Sequence, residues 1–184
     1  MENHNPNDSA AHSLVPPTDS SLGATDSQVI EVAIEIEIED REEVVELKLF
    51  VDESFCDKVR AHIGLSDDHI LFEHGHDIPL HQPPHSRKAI RLVAHRCKTV
   101  EVEIRYEHKT EKHSFAPAQT VYQALQWAIG TAAFNLDAVT AAKANLILPG
   151  AAAPLPREAA LGKYVTPGHC ALVVDLTLKD FSNG

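Results

Sequence analysis

Apolar and acidic residues alternate strictly along residues 30–38 of the chain. Isoleucine or valine occupies every second position, and glutamate occupies the positions between them except at Ala33. This period of two is typical of a β-strand with one face toward a core and the other toward water. The alternation resumes over residues 45–51, after a charged turn at residues 40–42. The two segments therefore predict a β-hairpin.

The apolar period then changes from two to 3.6. Ser54 can cap a short helix over residues 55–63, whose apolar side chains share one face, and Gly64 can end it. A short apolar run at residues 69–72 and a last alternating segment at residues 88–95 follow. The predicted order is a hairpin, one helix and further strands, which together make one small α+β unit.

The second half of the chain repeats this order of elements. Residues 100–106 alternate between apolar and charged side chains, and a second strand ends at Phe115. Thr120 can cap a helix that extends as far as Phe134, and an alternating segment at residues 172–178 closes the unit. The order of elements matches although few letters are identical, so we interpret the two halves as a structural repeat.

Net charge differs between the segments of this 184-residue chain, which carries −11 overall. Residues 1–28 contain four acids, no lysine or arginine and no apolar period, so they predict a disordered tail. Residues 29–97, the first domain, sum to −7, and the residues from 98 onward sum to zero. We place the second domain at residues 98–178 and a flexible tail at residues 179–184.

Composition excludes several classes of function. A surface of net charge −11 repels nucleic-acid phosphates, so we expect no nucleic-acid partner. No stretch approaches the roughly 20 consecutive apolar residues that span a bilayer. The polar first 21 residues do not resemble a signal peptide. We therefore expect no membrane contact and a cytoplasmic location.

The three cysteines are odd in number and far apart in the sequence. Cys56, Cys97 and Cys170 include no CxxC pair, so neither a disulfide framework nor a cysteine zinc site is predicted. We interpret all three as reduced, buried thiols. Cys56 lies on the apolar face of the first helix and Cys170 at the start of a strand, where a buried thiol acts as a small hydrophobic group and not as a nucleophile.

Histidine is abundant, with 12 residues, and several of them fall in one segment of the first domain. His74 and His76 beside Asp77 could hold a divalent metal ion. A solvated polar loop is the preferred interpretation, because no helical i, i+4 pair and no neighbouring cysteine fixes a geometry. The clustered histidines are His69, His74, His76, His81 and His85.

No motif of a known catalytic or cofactor site occurs. The chain has no GxSxG, GxxxxGKS/T or GxGxxG segment. We therefore predict no catalytic residue, no metal site, no cofactor and no enzymatic activity. The acidic face of the first strand is either a solvated face or a surface for a basic partner. Its residues are Glu31, Glu35, Glu37 and Glu39.

Three short segments carry a resemblance to a known family. They are Ile70-Leu71-Phe72 with the turn at Gly75, Leu146-Ile147-Leu148-Pro149-Gly150, and Leu161-x-x-Tyr164 before the last strand. These segments and the order of the elements resemble those of the ubiquitin-like modifiers, and the resemblance covers about residues 29–179. The β-grasp fold of that family places a hairpin, a diagonal helix and two further strands in one mixed sheet. The resemblance thus implies an α+β protein with two tandem β-grasp domains after a disordered N-terminal tail.

The tandem arrangement is similar to the two-domain interferon-stimulated modifier of vertebrates and, more closely, to its bacterial counterparts in antiphage operons. This resemblance places the chemistry at Gly184. In such modifiers an activating enzyme adenylates the terminal carboxylate and takes the acyl group as a thioester, and a conjugating enzyme passes it to a lysine amine. The partners it implies are these two enzymes, a deconjugating peptidase and target proteins.

The tail at residues 179–184 could extend roughly 20 Å beyond the last strand, far enough to enter an adenylation site. Glycine has no Cβ, so the carboxylate of Gly184 can approach a phosphate and then a thiolate closely. The tail ends Ser-Asn-Gly where the family usually has Gly-Gly.

Two alternatives stay open. The two domains could form an adaptor that binds protein partners without covalent attachment. A small metal-dependent enzyme around the clustered histidines has the weakest support. For the modifier, the near-neutral sheet face of the second domain is the expected docking surface for the activating and conjugating enzymes.

Overall fold

The computed structural model describes residues 31–82 and 87–178 of the chain. In the first domain, the predicted hairpin is followed by one helix and two more strands. Their bounds are β1 (Glu31–Ile38), β2 (Val45–Phe50), α1 (Phe55–Ile63), β3 (Ile70–Glu73) and β4 (Ala89–His95). The strands form one sheet in the order β2-β1-β4-β3, with β1 and β4 parallel and the outer pairs antiparallel.

The second domain has the same sheet topology. Its elements are β5 (Val100–Tyr106), β6 (Lys109–Phe115), α2 (Val121–Ile129), α3 (Ala138–Ala141), β7 (Asn145–Ile147), a 3₁₀ helix (Leu161–Tyr164) and β8 (Ala171–Thr177). The strand order is β6-β5-β8-β7, again with a central parallel pair, β5 and β8. The repeated hairpin, helix and mixed sheet confirm the predicted α+β fold of two tandem β-grasp domains.

Each sheet buries one face against its own helix. In the first domain, Val32, Ile34 and Ile36 of β1 are at most 1 % exposed and pack with Phe55 and Val59 of α1. The residues between them on β1 face the other way, as the period of two predicts. The second domain buries Val100, Val102, Ile104, Val121, Leu125, Leu172 and Val174 in the same manner.

The predicted capping residue of α2 is confirmed. Thr120 Oγ1 accepts a hydrogen bond from the Gln123 backbone N–H at 3.2 Å, and Gln123 Oε1 accepts one from the Thr120 backbone N–H at 2.7 Å. This reciprocal pair satisfies two backbone donors at the start of the helix. The helix ends at Ile129, before the predicted end at Phe134, because Gly130 adopts extended backbone angles.

The prediction for α1 is right about its position and wrong about its cap. Gly64 follows the helix in a left-handed conformation with φ +62°, as predicted. Ser54 precedes the helix, but its side chain makes no capping hydrogen bond. Its hydroxyl donates to Asp52 Oδ1 at 2.8 Å instead. This charge-assisted hydrogen bond turns the hydroxyl toward Asp52 and away from the backbone N–H groups that it would cap.

Cys97 and Cys170 form a disulfide, so the prediction of three reduced thiols is wrong for this pair. The cause is the parallel pairing of β5 and β8, in which Glu101 lies beside Ala171. The segments that precede these strands therefore meet, and the two cysteine Cα atoms are 5.6 Å apart. Cys56 is the free thiol, and partial burial raises its pKa.

Two predicted segments lie outside the described residues: the tail at residues 1–28 and the tail at residues 179–184. Within residues 31–82 and 87–178, no helix is long and apolar enough to cross a membrane.

Candidate functional site

The predicted conjugation residue, Gly184, lies outside the described residues, but the strand that leads to it does not. β8 runs between β5 and β7 and ends at Thr177. Leu178 follows it and is partly buried against the core of the second domain. The segment with the predicted acyl donor therefore starts from a strand that is held by a neighbour on each side.

The sheet face beside β8 carries paired charges. The register places Glu103 beside Val173 and Arg105 beside Asp175, on the face turned away from the core. Glu103 accepts contacts from Arg105 at 2.7 Å and from Lys112 at 3.4 Å. The hydrogen bond from Arg105 is the main cause that lowers the pKa of Glu103. We call this surface the domain 2 sheet face, formed by Glu103, Arg105, Lys112, Ile147, Val173 and Asp175.

The corresponding face of the first domain is partly covered. Phe72 of β3 and Val93 of β4 are 0 % and 3 % exposed. They pack against Ala116, Ala118 and Ala160 of the second domain. These five residues form a small apolar cluster between the domains, so this part of the first sheet is closed to other partners.

Hydrogen bonds across the junction reinforce this cluster. The Gly75 backbone N–H donates to the Ala118 carbonyl at 2.7 Å. The Gln123 side-chain amide donates to the Gly75 carbonyl at 2.9 Å. The turn after β3 is thus bound to the segment that opens α2, and both domains contribute backbone groups to the contact.

Glu39, which follows β1, is the central polar contact of the junction. The sequence places it on the acidic strand face, but its side chain is 0 % exposed. Its carboxylate accepts hydrogen bonds from the Arg96 backbone N–H at 2.9 Å and from the Gly168 backbone N–H at 3.2 Å. Burial opposes ionisation of this carboxyl group. The two N–H donors and the charges of basic neighbours outweigh burial, and the pKa of Glu39 is lowered.

His95, at the end of β4, packs against the second domain at Gly162. Its side chain is 1 % exposed, and Nδ1 accepts a hydrogen bond from the Cys97 backbone N–H at 2.9 Å. A Cβ at Gly162 would lie 2.7 Å from His95 Cδ2 and 3.0 Å from Pro117 Cβ. Glycine in the 3₁₀ helix is therefore what allows the two domains to approach this closely.

The sequence did not predict that Glu39, His95 and Gly162 lie close together at the junction. Glu39 continues a run of alternating glutamates, and nothing local distinguishes it from the exposed members of that run. The one available signal was Gly162 itself, which lies inside the Leu161-x-x-Tyr164 segment and not at an expected turn.

Burial is the main cause that lowers the pKa of His95. Glu39 and the Gly162 backbone favour the charged ring, whereas His69 and Arg96 disfavour it. Because a lowered histidine pKa favours the neutral form, His95 is neutral near pH 7 in the folded protein.

We predict that acidification weakens the fold through His95, in addition to any loss through His74, whose pKa burial also lowers. Below the ordinary histidine pKa of about 6.5, the unfolded chain binds a proton that the folded ring does not, so stability falls. The free energy of unfolding should fall by up to about 1.4 kcal/mol per pH unit until the lowered pKa of His95 is reached. Protonation of Glu39 should add a further loss below about pH 4.3.

Urea unfolding at several values between pH 7.5 and 5 measures this effect. His95→Asn is the matched variant, because its side-chain oxygen can still accept the Cys97 N–H while the titrating ring is gone. Its stability should depend on pH less steeply than that of the natural chain. Equal pH dependence in the two proteins would show that His95 is not the titrating group.

The described members of the clustered histidines have different surroundings. Among the described residues, no group of three or more potential metal ligands comes together. His69 is buried with Nδ1 2.9 Å from the Ser66 hydroxyl, and His76 lies 3.4 Å from a Glu73 oxygen. Burial lowers the pKa of His74. The last member of the segment, at position 85, lies outside the described residues.

Comparison with known proteins gives one family. Residues 101–179 match the family model of BilA ubiquitin-like domain 2. The match begins one residue after the start of β5 and continues past the end of β8. It therefore includes all four strands of the second sheet except Val100. No curated protein matches the chain. The family match shows a ubiquitin-like second domain, and together with the repeated sheet topology of the first domain it supports a BilA-like tandem ubiquitin-like protein.

Proposed function

We propose that this chain is a protein modifier that is joined through Gly184 to lysine amines of target proteins. The observation that carries the proposal is the match of residues 101–179 to a BilA ubiquitin-like domain. The resemblance to ubiquitin-like modifiers assigns the reacting group to the residues after the last strand. Gly184 lies five residues after the end of the match. It serves as the acyl donor either as encoded or after a peptidase removes any residues that follow it.

The proposed reaction has four steps. A carboxylate oxygen of Gly184 attacks the α-phosphate of ATP, which gives an acyl adenylate and releases pyrophosphate. A cysteine thiolate of the activating enzyme displaces AMP and forms a thioester, which passes to a cysteine of the conjugating enzyme. A lysine amine then displaces that thiolate and forms an isopeptide bond. The chain supplies only the acyl group, and its enzymes supply the catalytic cysteines.

The domain 2 sheet face is the proposed docking surface for both enzymes. It adjoins β8, so a protein bound there is close to the segment that carries Gly184. Its acids and bases are largely paired with one another, and Ile147 and Val173 add partly exposed apolar area. Interfaces commonly combine such an apolar centre with a polar rim.

The biological setting follows from the resemblance to bacterial modifiers in antiphage operons. We extend the proposal to attachment in the bacterial cytoplasm during defence against phage, with a deconjugating peptidase that releases the chain from its targets. Matching activating, conjugating and deconjugating enzymes encoded beside the chain would support this setting, and an isolated coding region would contradict it.

Thioester formation with the cognate activating enzyme tests the proposal. We expect ATP-dependent formation of a covalent adduct that thiols such as dithiothreitol cleave. Deletion of Gly184 should abolish the adduct, whereas Asn183→Ala, which keeps the terminal glycine, should retain most of it. No adduct from a chain with intact Gly184 would favour the alternative, a tandem adaptor that is not conjugated. An adduct without Gly184 would contradict the assigned acyl donor.

A further inference from the structure

A groove of about 370 Å³ lies between the two domains. One wall is the turn that joins β1 to β2 in the first domain. The opposite wall comes from the second domain and includes Gly162, Lys163 and Pro167. Val93 and His95 of β4 line the groove between these walls. The groove therefore depends on the docking of the domains and belongs to neither domain alone.

The groove is strongly acidic. Five carboxylates and two basic side chains line it. Three of the carboxylates are occupied: Glu37 pairs with Arg91 at 2.9 Å, Asp40 with Arg96 at 3.3 Å, and Glu39 is held by backbone N–H groups. Each of these three groups already has a partner in the structure.

Glu42 and Glu43 complete the set of five and differ from the other three. Both side chains are exposed, and neither forms an ion pair within the part of the chain that the structure describes. The nearby guanidinium of Arg41 is turned toward α1, where it donates to the Ile63 carbonyl at 3.1 Å. Two negative charges at the groove wall are thus not neutralised by any side chain of residues 31–82 and 87–178.

Apolar side chains accompany these charges. Val44 lines the groove and is 50 % exposed, although valine is usually buried. Ile38, Val93 and Pro167 contribute further apolar surface. Arginine and lysine combine an aliphatic stem with a charged head, so their side chains fit a surface that pairs apolar walls with free carboxylates.

The chain's own N-terminal segment does not match this surface. Residues 1–28 contain four acids and no lysine or arginine. A second copy of the chain would bring a further net charge of −11 toward the acidic wall. Like charges repel in both cases, so charge complementarity favours a basic segment of another protein.

The geometry points to a binding site in this groove for a basic, partly apolar peptide segment of a partner protein. A cationic side chain meets Glu42 and Glu43, and an adjacent apolar side chain packs on Val44. Because Gly162 and Pro167 form the opposite wall, the site exists only while the two domains are docked. The proposed binding does not require conjugation through Gly184.

Fluorescence anisotropy with a labelled Arg-Leu-Arg-Leu peptide and the full chain tests the site. We expect saturable 1:1 binding that weakens as salt is raised, and no binding of Glu-Leu-Glu-Leu. Glu42→Gln combined with Glu43→Gln should weaken binding by about fivefold or more. Glu31→Gln combined with Glu53→Gln removes the same charge outside the groove and should change binding less than about twofold.

Val44→Ser tests the apolar part of the site independently of its charge. We expect it to weaken binding by about threefold, because apolar area is lost while net charge stays the same. Half-exposed Val44 is outside both domain cores, so the variant should fold normally. Absence of saturable binding up to about 1 mM peptide, or equal losses in the two glutamine pairs, would overturn the proposal.

Discussion

Replacing Gly162 with alanine is expected to destabilise the docked arrangement of the two domains by about 2–3 kcal/mol. The new Cβ would lie 2.7 Å from His95 Cδ2 and 3.1 Å from the Pro117 carbonyl oxygen. The carbonyl belongs to the backbone, and the His95 ring is held at Nδ1 by the Cys97 N–H. Pro117 belongs to the second domain, so its contact strains that domain. His95 belongs to the first domain and cannot move without giving up its present contact, so we expect the domains to separate locally.

Hydrogen exchange at the Gly75 amide measures this separation. That amide donates across the junction to Ala118 at 2.7 Å, so it exchanges when the domains part. In Gly162→Ala, its exchange should accelerate by about 30-fold or more, which corresponds to about 2 kcal/mol.

The matched control is Gly150→Ala, in a turn of the second domain. Gly150 has φ +77° and nothing within 4 Å of an added Cβ, so alanine there costs backbone strain alone, about 1–2 kcal/mol. Exchange at Gly75 should change little in this control. If the two variants accelerated Gly75 exchange equally, the close fit at Gly162 would not be what holds the junction.

Replacing Glu39 with alanine is expected to lower the free energy of unfolding by about 3 kcal/mol at pH 7. The variant leaves the Arg96 and Gly168 backbone N–H groups without the carboxylate that accepts from both. Hydrogen bonds to a charged acceptor are stronger than neutral ones, and the Glu39 side chain is fully buried. Glu39→Gln keeps one acceptor oxygen and should lose about half as much.

Glu35→Ala serves as the control for Glu39. Glu35 lies on β1, which Glu39 directly follows; its side chain is 56 % exposed and meets Arg91 at 3.5 Å. Because exposed ion pairs contribute little, urea unfolding should show a loss below about 1 kcal/mol for this variant. Equal losses in Glu39→Ala and Glu35→Ala would contradict a structural role for the buried carboxylate.

Local patterns were sufficient to predict the elements inside each domain. The alternation along β1 and β5 predicted their buried and exposed faces, and Thr120 predicted the start of α2. These features depend on neighbours within one strand or one helical turn. The end of α2 was misplaced because Gly130 permits either a helical or an extended backbone, and local sequence does not decide between them.

Contacts between distant segments could not be predicted from local sequence patterns. Cys97 and Cys170 are 73 residues apart and meet only because β5 and β8 pair in parallel. Glu39 is buried because a second domain covers the end of β1, and no property of the alternating glutamates indicates which of them is covered. Periodicity reflects the packing inside each domain, so it does not indicate which residues meet at the junction.

The junction gives the two domains different roles in the proposed modifier. Part of the first sheet is occupied by the second domain through Phe72 and Val93. The residues of the domain 2 sheet face are exposed or partly exposed, and this face adjoins the strand that leads toward Gly184. We therefore expect enzymes of conjugation to contact the second domain, while the first domain contributes the acidic wall of the groove.

The most direct test of the modifier proposal is the chemical structure of the bond to a target. Trypsin cleaves after Lys179, so a conjugated lysine should keep the five residues Asp-Phe-Ser-Asn-Gly on its side-chain amine. Mass spectrometry of targets purified with the tagged chain, from cells that also contain its enzymes, should find this branched peptide, and it should disappear when Gly184 is deleted. Targets that carry no branch, or a branch that ends at another residue of the chain, would contradict attachment through Gly184.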